Sequence, residues 1–130
     1  MTEPGGCRAL VVEDDEASRF AMTMLLERLG FTVCAVATLA DANAQLDGQD
    51  VVLLDLNLPD GVGTSLLRRI RRERRPAKVV ITSASSHPAI IEQTAQLGPD
   101  VFLPKPIDFS TLVRWLETEG LVRQPPQRGP

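Results

Sequence analysis

The chain has 130 residues, of which 43% are apolar, and a formal charge of −3, which is enough for one domain with a packed core. Its acidic balance excludes a general attraction for nucleic acid, and no run of about 18 apolar residues predicts a membrane span. The N-terminus lacks the basic start and apolar centre of a secretory signal, so the cytoplasm is the expected location.

Short apolar runs alternate with stretches of helical period along the chain. Residues 8–12 predict a strand, and a helix follows over 16–29, with Asp15 as its expected cap. The apolar positions of this helix at helical spacing are Ala17, Phe20, Ala21, Met24 and Leu25. The remaining strands are predicted at 31–36, 50–55, 78–82 and 100–104, and the remaining helices at 38–46, 64–73, 88–98 and 109–120.

These elements predict one domain over residues 7–120. Residues 1–6 form an N-terminal extension, and the proline-rich polar stretch 121–130 is expected to be a flexible tail. The chain has two cysteines, Cys7 and Cys34, too few for a disulfide scaffold or a zinc site. We predict that both are buried and reduced, on neighbouring strands near opposite ends.

The predicted strands are continuous apolar runs, as in a parallel sheet that helices cover on both faces. We therefore predict an α/β fold with a single doubly wound sheet of five parallel strands. The right-handed crossover rule leaves few topologies, and 2-1-3-4-5 is the strand order that fits best.

Polar residues stand at the carboxyl ends of four predicted strands. Glu13 and Asp14 follow the first, Asp55 ends the third, Thr82 ends the fourth and Lys105 follows the fifth. These ends share one edge of a parallel sheet, and ligands bind there where the strand order reverses. In the predicted order, the reversal lies between the first and third strands, beside the acids.

The residue types suggest phosphoryl transfer at this edge. Neighbouring carboxylates repel one another unless a cation lies among them, and oxygen ligands of this kind suit Mg²⁺. Lys105 can oppose the charge of a phosphoryl group, and Thr82 can donate a hydrogen bond to it. A carboxylate such as Asp55 can act as the nucleophile and become an aspartyl phosphate.

Four motifs make the resemblance to a family specific: LVVEDDEASR, VVLLDLNLPDGVG, VVITSAS and FLPKPI. Together, over about residues 8–119, they resemble the receiver domain of two-component response regulators, which has a flavodoxin-like fold. The resemblance implies that Asp55 is the phosphoacceptor and that Thr82 and Lys105 act on the phosphoryl group. Thr82 and the aromatic Phe102 would form the conformational switch, and the Lys105–Pro106 bond would be cis.

The same resemblance implies a magnesium site. Asp14 would be a direct ligand together with Asp55, and Glu13 would act mainly through metal-bound water. The backbone carbonyl of Asn57 would supply a further ligand. Asn57 and Ala84 would tune the slow self-dephosphorylation of the domain.

The resemblance also implies partners. A histidine kinase or a histidine phosphotransfer protein would donate the phosphoryl group, and an output protein that the sequence does not identify would respond. The domain would be a switch rather than an enzyme, a monomer or weak homodimer, without contacts to nucleic acid or membrane.

Three alternatives compete with this interpretation. A receiver-like adaptor would dock partners without being phosphorylated. A haloacid dehalogenase-like hydrolase needs a second aspartate two residues after its nucleophile, where this chain has Asn57. A dinucleotide-binding domain needs a G-x-G-x-x-G motif after the first strand, and the sequence has none.

Several features stand apart from these motifs. The segment between Asp55 and Thr82 looks about one helical turn shorter than is usual in the family, which implies a trimmed third helix or a trimmed loop after it. Asp60 before Gly61 predicts a turn. The single histidine, His87, lies in the loop after the fourth strand. The arginine run at 68–75 predicts the solvated face of the third helix, with a docking patch as the alternative.

Overall fold

The chain forms seven strands and five helices in a computed structural model that describes residues 6–84 and 87–122. The strands are β1 (Arg8–Val12), β2 (Thr32–Val36), β3 (Val51–Asp55), β4 (Asn57–Leu58), β5 (Gly61–Val62), β6 (Lys78–Ser83) and β7 (Val101–Pro104). The helices are α1 (Glu16–Arg28), α2 (Leu39–Ala44), α3 (Thr64–Arg72), α4 (Pro88–Gln96) and α5 (Phe109–Thr118). Among the described residues, none of the helices is long and apolar enough to cross a membrane.

Five of the strands form one parallel sheet in the order β2-β1-β3-β6-β7. This is the order 2-1-3-4-5 of the predicted fold, which is confirmed. The remaining strands, β4 and β5, form a short antiparallel ribbon that was not predicted. The ribbon occupies the turn directly after β3 and therefore shapes the loop at the carboxyl end of the central strand.

The core has two parts, one on each face of the sheet. Alternate strand residues point to opposite faces. One set packs with α2 and α3, through residues such as Leu67 and Ile70. The other packs with α1 and α5, through residues such as Leu26 and Leu112. Every residue of β3 is buried, because helices cover this central strand on both sides, and its sequence therefore lacks alternation.

The buried face of α1 differs from the predicted one. Phe20 and Met24 are 66% and 42% exposed, whereas Met22 and Leu26 are buried against the sheet. Leu25 and Leu29 flank this stripe and are half-buried against the same core, so the prediction is confirmed for Leu25 and wrong for Phe20 and Met24. On one side of the stripe, Ala17 lines a cleft of about 590 Å³ that extends towards α5. A small side chain leaves this space unfilled, and the large apolar side chain of Phe20 remains outside it.

The two cysteines are half-buried rather than buried as predicted, and both are free thiols. Cys7 precedes the first strand and packs on the α1 and α5 side. Cys34 lies on the edge strand β2 and packs on the opposite face. Burial raises the pKa of the Cys7 thiol, and the negative charge of Asp50 adds to the effect.

The core extends to residue 122. Leu121 is half-buried and Val122 is buried against the α1 and α5 side of the sheet, so the first two residues of the predicted tail pack on the domain. The rest of the predicted tail, 123–130, lies outside the described residues, as do 1–5 of the predicted extension.

The corrected face of α1 can be tested by two substitutions in the same helix. Leu26→Ala removes a fully buried side chain and should lower the free energy of unfolding by about 2–5 kcal/mol. Phe20→Ala removes a larger but exposed side chain and should cost less than about 1 kcal/mol. Urea unfolding followed by circular dichroism measures both values. Equal losses would contradict the observed orientation of α1.

Candidate functional site

Three carboxylates meet at the carboxyl end of the sheet. Oxygen atoms of Glu13, Asp14 and Asp55 all lie within 4.8 Å of one another. Glu13 and Asp55 are buried, with 7% and 5% of their surfaces exposed, whereas Asp14 is exposed. The sequence predicted that these acids lie together, and they do so because β1 and β3 are neighbours in the sheet.

Lys105 connects the two buried acids. Its Nζ atom donates hydrogen bonds to Glu13 Oε1 at 2.5 Å and to Asp55 Oδ2 at 3.1 Å. Burial alone would lower the pKa of Lys105, but these hydrogen bonds and the charges of the two acids outweigh it, so the pKa is raised. The ammonium group is therefore held charged between the carboxylates.

The backbone fixes the position of Lys105. Its N–H donates to the carbonyl of Ser83 at 2.9 Å, directly after the end of the β6 and β7 pairing. The bond to Pro106 is cis, as predicted. Lys105, which follows the last strand of the sheet, is thereby placed next to acids at the ends of the first and central strands.

The donor set fits a hard divalent cation. Three carboxylates carry three negative charges, and the ammonium group of Lys105 offsets one of them, so two remain. Asp14, the exposed member, makes the group accessible from solvent. Oxygen ligands and partial exposure are what Mg²⁺ requires, since it keeps several of its waters when bound.

Asp55 is held at both of its oxygens. Oδ2 accepts from Lys105, and Oδ1 accepts from the backbone N–H of Asn57 at 3.2 Å. Asn57 is the first residue of the ribbon and pairs with Val62 across it. The ribbon thus places the exposed Asn57 beside Asp55, and the role of its carbonyl as a metal ligand stays a prediction.

Thr82 is the direct neighbour of Asp55 in the sheet. The two residues are partners in the parallel register of β3 and β6, and the N–H of Leu56 donates to the Thr82 carbonyl at 3.1 Å. Thr82 is buried and lines the same cleft as Glu13 and Lys105. Its hydroxyl-bearing side chain therefore belongs to the edge of the sheet that carries the acids.

Phe102 packs in the core, and His87 lies at a helix terminus. Phe102 pairs with Ile81 in the sheet register and is half-buried against the α2 and α3 side of the core. Its switching role stays a prediction. His87 is the N-cap of α4, and its Nδ1 accepts from the N–H of Ala89 at 3.2 Å.

Two residues that position the site were missed by sequence reasoning. Arg19 donates from Nη1 to the carbonyls of Glu13 at 3.0 Å and Asp14 at 3.3 Å, which holds the loop that carries both acids. The N–H of Gly63 donates to the carbonyl of Leu56 at 2.7 Å. A Cβ atom at Gly63 would collide with the backbone oxygen of Asp55. In the sequence, nothing indicates these roles except that Arg19 and Gly63 are the last residues of the motifs LVVEDDEASR and VVLLDLNLPDGVG.

Asp60 does more than form the predicted turn. Its two carboxylate oxygens accept from the backbone N–H groups of Leu39 at 2.8 Å and Ala40 at 3.0 Å. The turn after β3 is therefore attached to the first residues of α2. These hydrogen bonds lower the pKa of Asp60 below its usual value.

Comparisons with known proteins agree with this geometry. The family model of the response regulator receiver domain matches residues 9–117. The chain is 32% identical over 119 residues to the DNA-binding transcriptional regulator NtrC of Azospirillum brasilense, covering 90% of this chain and 25% of that protein. It is 37% identical over 106 residues to the transcriptional regulatory protein CseB of Streptomyces coelicolor, covering 80% and 45%.

Solved structures show the same fold. A CheY-like response regulator receiver domain protein from Methanospirillum hungatei superposes with a TM-score of 0.81 at 25% identity, covering 88% of this chain and 94% of that one. The BeF3-activated DrrB receiver domain gives a TM-score of 0.80 at 25% identity, covering 87% and 96%.

The chain belongs to the response regulator receiver domain family. Proteins of this family act as phosphoacceptor switches, bind Mg²⁺ at an acidic pocket and interact with histidine kinases and output domains. This chain spans only 25% and 45% of the lengths of the two relatives named above.

The close approach at Gly63 can be tested by Gly63→Ala. The backbone of Gly63 has a φ of −57°, so alanine meets no conformational penalty there, and only the collision with Asp55 remains. We expect a loss of about 1–3 kcal/mol in the free energy of unfolding. Gly48→Ala serves as a comparison, because its Cβ would have open space and only the backbone strain of a φ of +77° would be felt. A Gly63→Ala variant as stable as the wild type would contradict the close approach.

The attachment of α2 should depend on pH. Because its pKa is lowered in the folded state, Asp60 contributes stability above about pH 3.9, the ordinary aspartate value, and this contribution disappears as the pH falls through the lowered pKa. Asp60→Asn should therefore be less stable than the wild type at neutral pH and equally stable in strong acid, by urea unfolding. A difference that persists in acid would contradict the role of the charge.

Proposed function

We propose that this domain accepts a phosphoryl group on Asp55 from a histidine kinase or a histidine phosphotransfer protein, with Mg²⁺, and that phosphorylation switches its binding to an output protein. The observation that supports Asp55 most directly is its environment. It is a buried carboxylate whose two oxygens are oriented by Lys105 and by the backbone of Asn57. A carboxylate held in one orientation is ready for in-line attack.

The proposed step is a phosphoryl transfer. An oxygen of Asp55 attacks phosphorus, the bond between phosphorus and the donor histidine nitrogen breaks, and that nitrogen keeps the electron pair. A bound Mg²⁺ would offset negative charge on the phosphoryl oxygens, and Glu13, Asp14, Asp55 and the carbonyl of Asn57 would hold it. The acids fit this role because Lys105 leaves them with two uncompensated charges.

Lys105 and Thr82 act on the acquired phosphoryl group in this proposal. The ammonium group of Lys105 already lies 3.1 Å from Asp55 Oδ2, so it can pair with a phosphoryl oxygen after a small movement. Thr82 neighbours Asp55 in the sheet and can turn its hydroxyl towards the same group. These new contacts exist only in the phosphorylated state and would shift the domain towards a second packing.

Phe102 would report this change to the surface. It lies in β7 next to Ile81 of β6, one residue before Thr82, and it is half-buried at the rim of the core. A movement of Thr82 would alter the space available to this aromatic ring.

We propose that the reaction takes place in the cytoplasm. Slow hydrolysis of its own aspartyl phosphate would be the only reaction that the domain catalyses repeatedly.

The decisive experiment is an intact-mass measurement after incubation with acetyl phosphate and Mg²⁺. The wild type should gain the mass of one phosphoryl group, and Asp55→Asn should gain none while it remains folded by circular dichroism. Omitting Mg²⁺ and adding a chelator should abolish the gain in the wild type.

Asp41→Asn is the matched control, since it removes an exposed carboxylate from α2 and should be labelled like the wild type. Stable labelling of Asp55→Asn would show that another residue is the phosphoacceptor. Absence of labelling in the folded wild type would favour an adaptor that docks its partners without phosphorylation.

A further inference from the structure

A groove of about 260 Å³ lies between α3 and α4 beside the candidate site. We call it the α3–α4 groove, and its lining residues are Leu56, Asn57, Val62, Thr64, Arg68, Ser83, Ile90, Gln93, Thr94 and Leu97. Asn57 and Ser83 follow Asp55 and Thr82 closely in the chain, so one end of the groove adjoins the acidic pocket.

The rim of the groove is apolar and accessible. Val62, in the ribbon, is 57% exposed, and Ile90, in α4, is 41% exposed. Both line the groove, and so does the half-buried Leu97 directly after α4. Exposed aliphatic side chains that line a groove can bury an apolar side chain from a partner.

The arginines of α3 and the turn after it divide into two sets. The first set is used within the domain: Arg69 pairs with Glu73, Arg71 with Asp100, and Arg75 with Asp47 and Glu73. The second set, Arg68, Arg72 and Arg74, is exposed and has no ion pair within residues 6–84 and 87–122.

The second set supplies the charge of the groove. Among the described residues that line it, Arg68 is the single charged one. Arg72 follows four positions later in the same helix, and residues at this spacing share one helical face. The groove therefore combines an apolar rim with Arg68, and the exposed Arg72 lies one turn further along the same face.

We propose that the α3–α4 groove binds an acidic, amphipathic segment of a partner protein. An apolar side chain of the segment would lie between Val62 and Ile90, and carboxylates one turn away would pair with Arg68 and Arg72. A protein segment fits better than nucleic acid because none of the described residues that line the groove is aromatic, so bases would have no side chain on which to stack. The inference does not depend on phosphorylation, since the groove is already formed.

The test uses a synthetic peptide as the probe. It is a fluorescein-labelled helical peptide with leucines on one face and glutamates beside them, and its binding to the whole chain is followed by fluorescence anisotropy at low salt. We expect saturable binding that weakens as salt screens the charges. Arg68→Glu should weaken the affinity about fivefold, because an attraction becomes a repulsion. Ile90→Ala should weaken it as well, through the lost apolar contact.

Arg114→Glu is the matched control. It makes the same charge change at an exposed residue of α5 and should leave the affinity within about twofold of the wild type. A second peptide with glutamine in place of glutamate should bind weakly. Amide chemical shifts of ¹⁵N-labelled protein should change at Val62 and Ile90 during the titration.

Four results would overturn the proposal. They are no binding of the acidic peptide, equal weakening by Arg68→Glu and Arg114→Glu, shift changes confined to α1, and tighter binding of a single-stranded oligothymidylate than of the peptide. All arms use unphosphorylated protein, so their failure is distinguishable from failure of Asp55 to accept phosphate.

Discussion

The ion pairs of Lys105 with Glu13 and Asp55 are the interaction on which the rest of the site depends. Two buried carboxylates beside a third acid repel one another, and a cation between them offsets this repulsion. Lys105 supplies that cation from a position 92 residues after Glu13 and 50 residues after Asp55. The acidic pocket is therefore complete only when the first, central and last strands of the sheet are assembled, and its chemistry is a property of the whole fold rather than of one motif.

The strand order explains how a few residues, distant in the sequence, are enough to form the site. Placing β1 beside β3 joins Glu13 and Asp14 to Asp55, and placing β6 on the other side of β3 sets Thr82 next to the same aspartate. Each residue occupies the end of a strand, where the sheet fixes its backbone. A doubly wound sheet thereby converts a linear arrangement of motifs into a cluster at one edge.

The sequence predicted the features that leave a local signal. Continuous apolar runs predicted the strands, and polar residues at strand ends predicted which side chains meet. It could not predict the buried stripe of α1, because Phe20 and Met22 are equally apolar and only the packing against the sheet selects between them. It also missed Arg19 and Gly63, since their roles consist of contacts with backbone carbonyls, which leave no pattern in residue type. Half-burial of Cys34 follows from the edge position of β2, which helices cover less completely.

The bond between Asp60 and α2 has a consequence for how the domain can be observed. Helix α2 has six residues, too few for a stable helix on its own, and a side chain from the turn after β3 accepts from its first two N–H groups. Its order therefore depends on the loop that follows β3. The amide hydrogens of Leu39 and Ala40 are bonded to Asp60 in that loop. The rate at which they exchange with deuterium therefore reports on rearrangements beside the acidic pocket, without a label inside it.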